Sequence, residues 1–234
     1  MNTARDAVCL ALDVTDVDEA TAWVARLRSR IGTFKIGLQL FCAEGPSVLS
    51  AVRRAGADRI FLDLKLHDIP NTVAGAVRAL AGQGSDLLTI HTAGGRDMLA
   101  AAQAAAGEMR LLGVTVLTSL DAARLAESGH TGDPAAVVRQ RARLAIEAGL
   151  TGLVCAASEV AEVRRVTGPG CFLVTPGIRL AGGELGDQLR VATPGAARLA
   201  GADLLVVGRP VLDAAIPEAT VDRILADWSE GVAP

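Results

Sequence analysis

Short apolar runs alternate with longer amphipathic stretches along the whole chain. Residues 7–14, 33–38, 59–66, 86–91, 110–118, 152–155, 171–175 and 203–207 are mostly apolar and read as buried strands. Between them, residues 16–30, 45–55, 70–82, 95–106, 134–148, 158–166, a short segment ending near 200, and 217–229 carry helical patterns. The 16–30 segment starts acidic and finishes basic, as the helix dipole favours. Pro70 suits the first turn of its helix. Residues 119–133 read as a longer polar connection, and 176–187 as a glycine-rich loop. Strands and helices alternating eight times with no linker predict a parallel sheet. In 234 residues this predicts the α/β class as a closed (β/α)8 TIM barrel, one catalytic domain over residues 1–234. An open doubly wound sheet is the alternative, but no G-x-G-x-x-G follows the first strand.

The third strand breaks the apolar rule. It continues into Phe61-Leu62-Asp63-Leu64-Lys65-Leu66-His67-Asp68-Ile69-Pro70-Asn71-Thr72. Alternation puts Leu62, Leu64 and Leu66 on one face and Phe61, Asp63, Lys65 and His67 on the other. The leucines belong against apolar helices. The acid and base opposite them are either a solvent-facing pair on an edge strand or chemistry, because charge inside a fold is costly unless paired.

Composition favours chemistry. Lys and Arg together number 23, yet the only lysines are Lys35 and Lys65. Both stand near a predicted strand end. Lysine is a compact ammonium that can give up a proton, which arginine does not do. Net charge is −3, so a broad basic surface and nucleic-acid binding are not expected. With no tyrosine and six other aromatics, base-stacking platforms are not expected either. Cys9, Cys42, Cys155 and Cys171 show no CxxC spacing and read as buried thiols of a reducing cytoplasm. No signal peptide or membrane-length apolar run is expected. Three dispersed histidines argue against a zinc site. His67 and His91 read as candidate acids or, more commonly, satisfied buried histidines. His130 reads as solvated in a polar loop.

Barrel active sites lie at the carboxyl ends of the strands. Asp13, Lys35, Asp63, Lys65, His91 and Thr118 all fall at or near such ends. Gly177, Gly208 and Arg209 follow strands seven and eight, the usual phosphate site of this fold. They offer open amides and a phosphate fork there, or, for the glycines, only turns. Asp68 and the Asp187-Gln188 pair each read equally as helix starts.

The chain resembles the orotidine 5′-phosphate decarboxylase family. The resemblance rests on Ala11-Leu12-Asp13, Phe34-Lys35-Ile36-Gly37, the 61–72 stretch, Leu117-Thr118-Ser119, Thr175-Pro176-Gly177-Ile178-Arg179, Asp187-Gln188 and Val207-Gly208-Arg209-Pro210. It implies a homodimeric, cytoplasmic TIM barrel without metal or organic cofactor, converting orotidine 5′-monophosphate to UMP and CO2 in pyrimidine biosynthesis. It implies that Lys35, Asp63 and Lys65 form a charged array, joined by Asp68 from the partner subunit. Ile69 and Thr72 match positions approaching the partner's ligand. Asp13 matches a ribose contact. Thr118 matches a pyrimidine contact, which Ser119 would share. Arg179 and Gln188 match the loop closing over the phosphate, and Gly208 and Arg209 the phosphate anchor.

Rival readings are a sugar-phosphate decarboxylase or epimerase, a Schiff-base aldolase using Lys65, and a non-catalytic nucleotide-binding barrel. Pure binding has no need of buried charges at Asp63 and Lys65. An epimerase is expected to need metal ligands, which are hard to find in this sequence.

Overall fold

The computed structural model describes residues 4–130, 132–180 and 192–231. Eight parallel strands close into a barrel in sequence order, with β1 paired to both β2 and β8. The strands are β1 (Val8–Leu12), β2 (Thr33–Gly37), β3 (Arg59–Leu66), β4 (Leu87–His91), β5 (Arg110–Val114), β6 (Gly152–Val154), β7 (Phe172–Thr175) and β8 (Leu204–Val207). The predicted (β/α)8 barrel is therefore the fold, and the doubly wound sheet is not. The β3 bounds match the sequence reading. The β5 strand is shorter, because its ladder to β6 ends at Val114.

Helices cover the outside: α1 (Val17–Leu27), α2 (Leu38–Glu44), α3 (Ser47–Arg54), α4 (Pro70–Ala81), α5 (Gly95–Ala105), α6 (Ala122–Glu127), α7 (Pro134–Glu147), α8 (Val160–Thr167), α9 (Pro194–Ala200), α10 (Arg209–Leu212) and α11 (Pro217–Glu230). Most of the core lies between these helices and the outward faces of the strands, where Leu10, Leu12, Ile36, Leu62 and Leu88 are fully buried. A smaller apolar layer fills the barrel interior, with Cys9, Phe61, Leu87, Leu112, Val174 and Leu204.

Two helices differ from the sequence reading. One helix was expected over residues 45–55. Instead Gly45, at φ +65°, separates α2 from α3. Only a residue without Cβ takes that conformation cheaply, so the Gly-Pro pair joins two helices rather than starting one. The polar connection 119–133 contains α6, capped by the Asp121 side chain on the Arg124 N–H. Of the four cysteines expected to be buried, Cys42 is exposed on α2, since this helix was not anticipated and its outer face was invisible in the pattern.

Two matching clamps close the amino-terminal end. Asp86, before β4, accepts the Ile60 N–H at 2.7 Å and a guanidinium N–H of Arg53 at 2.5 Å. Arg53 also caps the Gly84 carbonyl. Half a barrel away, Asp203, before β8, accepts the Leu173 N–H at 2.7 Å and Arg164 at 2.6 Å. Arg164 also caps the Gly201 carbonyl. In each case an arginine from the helix preceding a strand holds an aspartate preceding the next strand. A strand N–H at the sheet end thereby gains its acceptor. Asp86→Ala and Asp203→Ala should each lower stability by about 1–3 kcal/mol through the orphaned N–H and guanidinium. Denaturant titration reads this, and unchanged midpoints would show that water replaces the carboxylate at no cost.

Candidate active site

A cavity of about 240 Å³ opens at the carboxyl ends of the strands. One wall carries charge. Asp63, inward on β3, holds Lys65 Nζ at 2.8 Å through Oδ1 and Lys35 Nζ at 3.5 Å through Oδ2. Lys35 Nζ also reaches Asp13 Oδ1 at 3.3 Å. The Thr89 hydroxyl donates to Asp63 Oδ1 at 2.9 Å. The result is a row of alternating sign running Asp13, Lys35, Asp63, Lys65.

Two glycines leave room for the row. A Cβ on Gly37 would stand 3.3 Å from Lys35 Nζ, and one on Gly208 would stand 3.3 Å from Asp13 Oδ2.

The β3 strand departs from regular alternation at its end. Leu62 pairs with Leu88, but Leu66 pairs with Ile90, so four steps on β3 match two on β4. Within this bulge Lys65 adopts φ +49°, which is uncommon for any residue but glycine. Its N–H is held by Thr89 Oγ1 at 2.9 Å. Thr89 thus fixes both the backbone of Lys65 and the carboxylate of Asp63. The sequence reading missed Thr89, whose one signal is a hydroxyl two residues before His91 in an apolar run.

Electrostatics follow from this packing. Burial alone would push the Lys35 ammonium down, but Asp63 and Asp13 outweigh it and hold its pKa above the ordinary lysine value. Burial would push Asp63 up, but Lys35 and Lys65 hold it below the usual carboxylate range, helped by the hydrogen bonds from Lys65 and Thr89. Lys35 and Asp63 are therefore stable in their charged forms. Beneath it, burial pushes the Cys9 thiol up to about 12, so Cys9 is a packing group rather than a nucleophile.

The facing wall is mostly apolar. It includes Val116, Leu117 and Thr118 after β5, Pro176, Gly177 and Arg179 after β7, and Gly208 and Arg209 after β8. Gly177 has φ +77°. Arg179 donates to the Ile178 carbonyl at 2.9 Å.

The structure thus brings Asp13, Lys35, Asp63, Lys65, Thr118, Arg179, Gly208 and Arg209 to one cavity. Ser119 is not in its lining; it is exposed, and its carbonyl accepts from Arg124 at 3.3 Å. Asp68, Ile69 and Thr72 are exposed and also outside the lining, with Ile69 66% exposed. The reading of Asp68 as a helix cap does not hold. Ile69 is the N-cap of α4 and no side chain caps it. Asp68 instead accepts the Ile69 N–H at 2.6 Å. Gln188 and Asp187 lie outside the described residues.

The histidines also differ from expectation. His67 is exposed, its ring 5.5 Å from that of half-buried His91. Among the described residues His91 Nδ1 is buried without a hydrogen-bond partner, so His91 is not a satisfied core histidine. His130 is not a freely solvated loop residue, because Arg141 donates to its Nε2 at 2.8 Å. Among the described residues no group of three or more His, Cys, Asp or Glu side chains converges as metal ligands do. No helix among them is long and apolar enough to cross a membrane.

Burial, then the neighbours His67, Arg141 and Lys65, push the His91 imidazole down from 6.5 to about 4. Its unfolded form binds a proton in this interval and its folded form does not. Its contribution to stability is therefore complete above pH 6.5 and lost as pH falls toward 4. His91→Asn should flatten the rise of unfolding free energy between those pH values. Denaturation at stepped pH measures it, and an unaltered slope would count against the burial argument.

Comparison with known proteins gives one consistent match. The family model described as "Orotidine 5'-phosphate decarboxylase / HUMPS family" matches residues 6–224. The orotidine 5′-phosphate decarboxylase of Thermobifida fusca (strain YX) is 50% identical over 228 residues, covering 97% of this chain and 98% of that protein. That of Anaeromyxobacter sp. (strain K) is 52% identical over 220 residues, covering 94% and 96%. The crystal structure of orotidine 5′-phosphate decarboxylase from Lactobacillus acidophilus superposes with a TM-score of 0.83 at 32% identity, covering 95% of this chain and 99% of that one.

Proposed function

The chain belongs to the orotidine 5′-phosphate decarboxylase / HUMPS family, and from that membership we infer that it removes CO2 from orotidine 5′-monophosphate to give UMP in pyrimidine biosynthesis. The observation that carries the mechanism is the fixed pair Asp63–Lys65, at 2.8 Å in the cavity. Relatives near half identity over nearly the whole chain bear the decarboxylase name, which favours this substrate over a sugar phosphate.

Cleavage of the bond from pyrimidine C6 to its carboxylate releases CO2 and leaves an electron pair in the ring plane. No π system can delocalise that pair. A cation fixed beside C6 stabilises the developing charge more than it stabilises the substrate. Lys65 supplies the cation, then transfers a proton from Nζ to C6. Asp63 holds and orients the Lys65 ammonium, while Lys35 offsets the second oxygen of Asp63 and Asp13 takes the ribose. Thr118 meets the pyrimidine. Gly208 and Arg209 receive the phosphate, and Arg179 and Gln188 close over it. Phosphate binding energy, remote from C6, drives that closure and excludes water.

In this reading the working unit is a cytoplasmic homodimer of single-domain barrels, 1–234, with no metal or organic cofactor. Asp68, Ile69 and Thr72 serve the neighbouring subunit's site. Their exposure outside the cavity of their own chain is what supports that assignment. Neither nucleic acid nor membrane is a partner.

Chelator-treated protein should turn over orotidine 5′-monophosphate, followed by ultraviolet absorbance; folded protein that binds UMP without turnover would instead mark a binding barrel. Lys65→Ala should abolish turnover and leave the fold intact. Mixing Lys65→Ala with Asp68→Ala should restore part of the activity through hybrid dimers carrying one complete site. No recovery after proven subunit exchange would exclude the shared site.

A further inference from the structure

We propose that Arg141 is a positioning residue that sets the cavity wall against which the pyrimidine lies, acting through both ends of the excursion between β5 and α7. The inference rests on the nucleotide reading of the site given above. The α7 helix buries a charge among its apolar positions. That helix buries Val137, Val138, Ala142 and Ala145 against the barrel, and Arg141 lies among them at 9% exposure. An apolar side chain would pack there at no desolvation cost, whereas a guanidinium is expensive to bury. Burial accordingly pulls the Arg141 pKa below the ordinary arginine value.

The two bonds of Arg141 say what the charge is for. One nitrogen donates to the Thr115 carbonyl at 2.6 Å. The β5 ladder to β4 ends at Val114, and the Thr115 N–H still reaches the Val154 carbonyl at 3.2 Å. The Thr115 carbonyl is thus the first of the strand end beyond the ladder, and Arg141 takes it. The next three residues, Val116, Leu117 and Thr118, are the cavity wall.

The second nitrogen donates to His130 Nε2 at 2.8 Å. Nδ1 of the same ring lies 3.2 Å from the Ser128 carbonyl. This pairing assigns the proton to Nδ1 and leaves Nε2 as the acceptor. The Ser128 hydroxyl in turn donates to the Leu125 carbonyl at 2.7 Å, and Leu125 is buried. One buried side chain therefore pins residue 115 and residue 130, the two ends of the segment that carries Thr118. The charged wall and the phosphate end of the cavity share neither bond. The strut is accordingly specific to the base, not to the ribose phosphate.

The experiment compares two ligands by titration calorimetry, UMP and ribose 5-phosphate, with turnover of orotidine 5′-monophosphate measured alongside. Arg141→Met should weaken UMP about tenfold, the size of effect that residues without ligand contact can exert, and leave ribose 5-phosphate within about twofold. His130→Phe, at a half-buried position, should weaken UMP severalfold. His130→Gln should recover most of that loss, because its amide offers one acceptor to Arg141 and one donor to Ser128. Equal weakening of both ligands, or no change in UMP affinity, would overturn the proposal and leave Arg141 a general structural clamp. If Arg141→Met fails to fold, the His130 pair decides: loss without rescue by Gln overturns it. Wild-type protein that neither turns over the substrate nor binds UMP would overturn the nucleotide reading, and this inference with it.

Discussion

A carboxylate held between two ammonium groups inside a barrel is the constraint around which the rest of the site is arranged. Asp63 meets Lys35 and Lys65 where solvation is poor, and each charge would be costly without the others. The surrounding residues make the arrangement tolerable. Gly37 and Gly208 remove the Cβ atoms that would crowd it. Thr89 donates a second hydrogen bond to Asp63 Oδ1 and anchors the backbone of Lys65. The bulge in β3 and the positive φ of Lys65 are strain of the kind that persists where surrounding structure over-determines it, as functional sites do. On the proposed mechanism, a lysine placed by strain and locked by a hydroxyl is preorganised for a charge that exists only during reaction.

Much of this was legible in the chain. Strand and helix alternation predicted a parallel α/β sheet, because strands buried on both faces leave short apolar runs, and eight repeats without a G-x-G-x-x-G favoured the barrel over the open sheet. Two lysines amid so many arginines pointed to the charged row. The alternation of β3 correctly turned Asp63 inward but could not announce the bulge, since an inserted pair of residues depends on what β4 offers opposite. The same holds for Thr89, whose role appears only when two strands lie side by side. Gly45 looked like a helix start because a glycine before a proline serves both starts and breaks. Arg141 and His130 were unreadable as a pair: they face one another across a polar segment, and a lone arginine in a helix is ordinarily a solvated one.

The two walls of the cavity divide the labour by chemistry. The wall from β1 to β3 is charged and held by ion pairs, which are directional and leave Asp63 and Lys65 little freedom. The wall from β5 to β8 is apolar with polar ends, suited to a flat base and a remote anion. Asp68, Ile69 and Thr72, at the start of α4, are exposed and outside the lining of their own cavity, although they follow directly on β3. In the proposed dimer this exposed position is what places one chain's residues at another chain's substrate.

The clamps at the opposite end of the barrel bear on the order in which such a chain assembles. Asp86 and Arg53 are 33 residues apart, and Asp203 and Arg164 are 39 apart. The seam that closes the barrel joins Val8 to Leu205, near the two ends of the chain. The entropy of closing a loop grows with its length, and contacts distant in sequence are slow to form. Each clamp can therefore knit a helix and two strand ends into a local unit while the β1–β8 seam is still open. Two such units sit half a barrel apart, and loop entropy favours forming both of these corners before the ends of the chain meet.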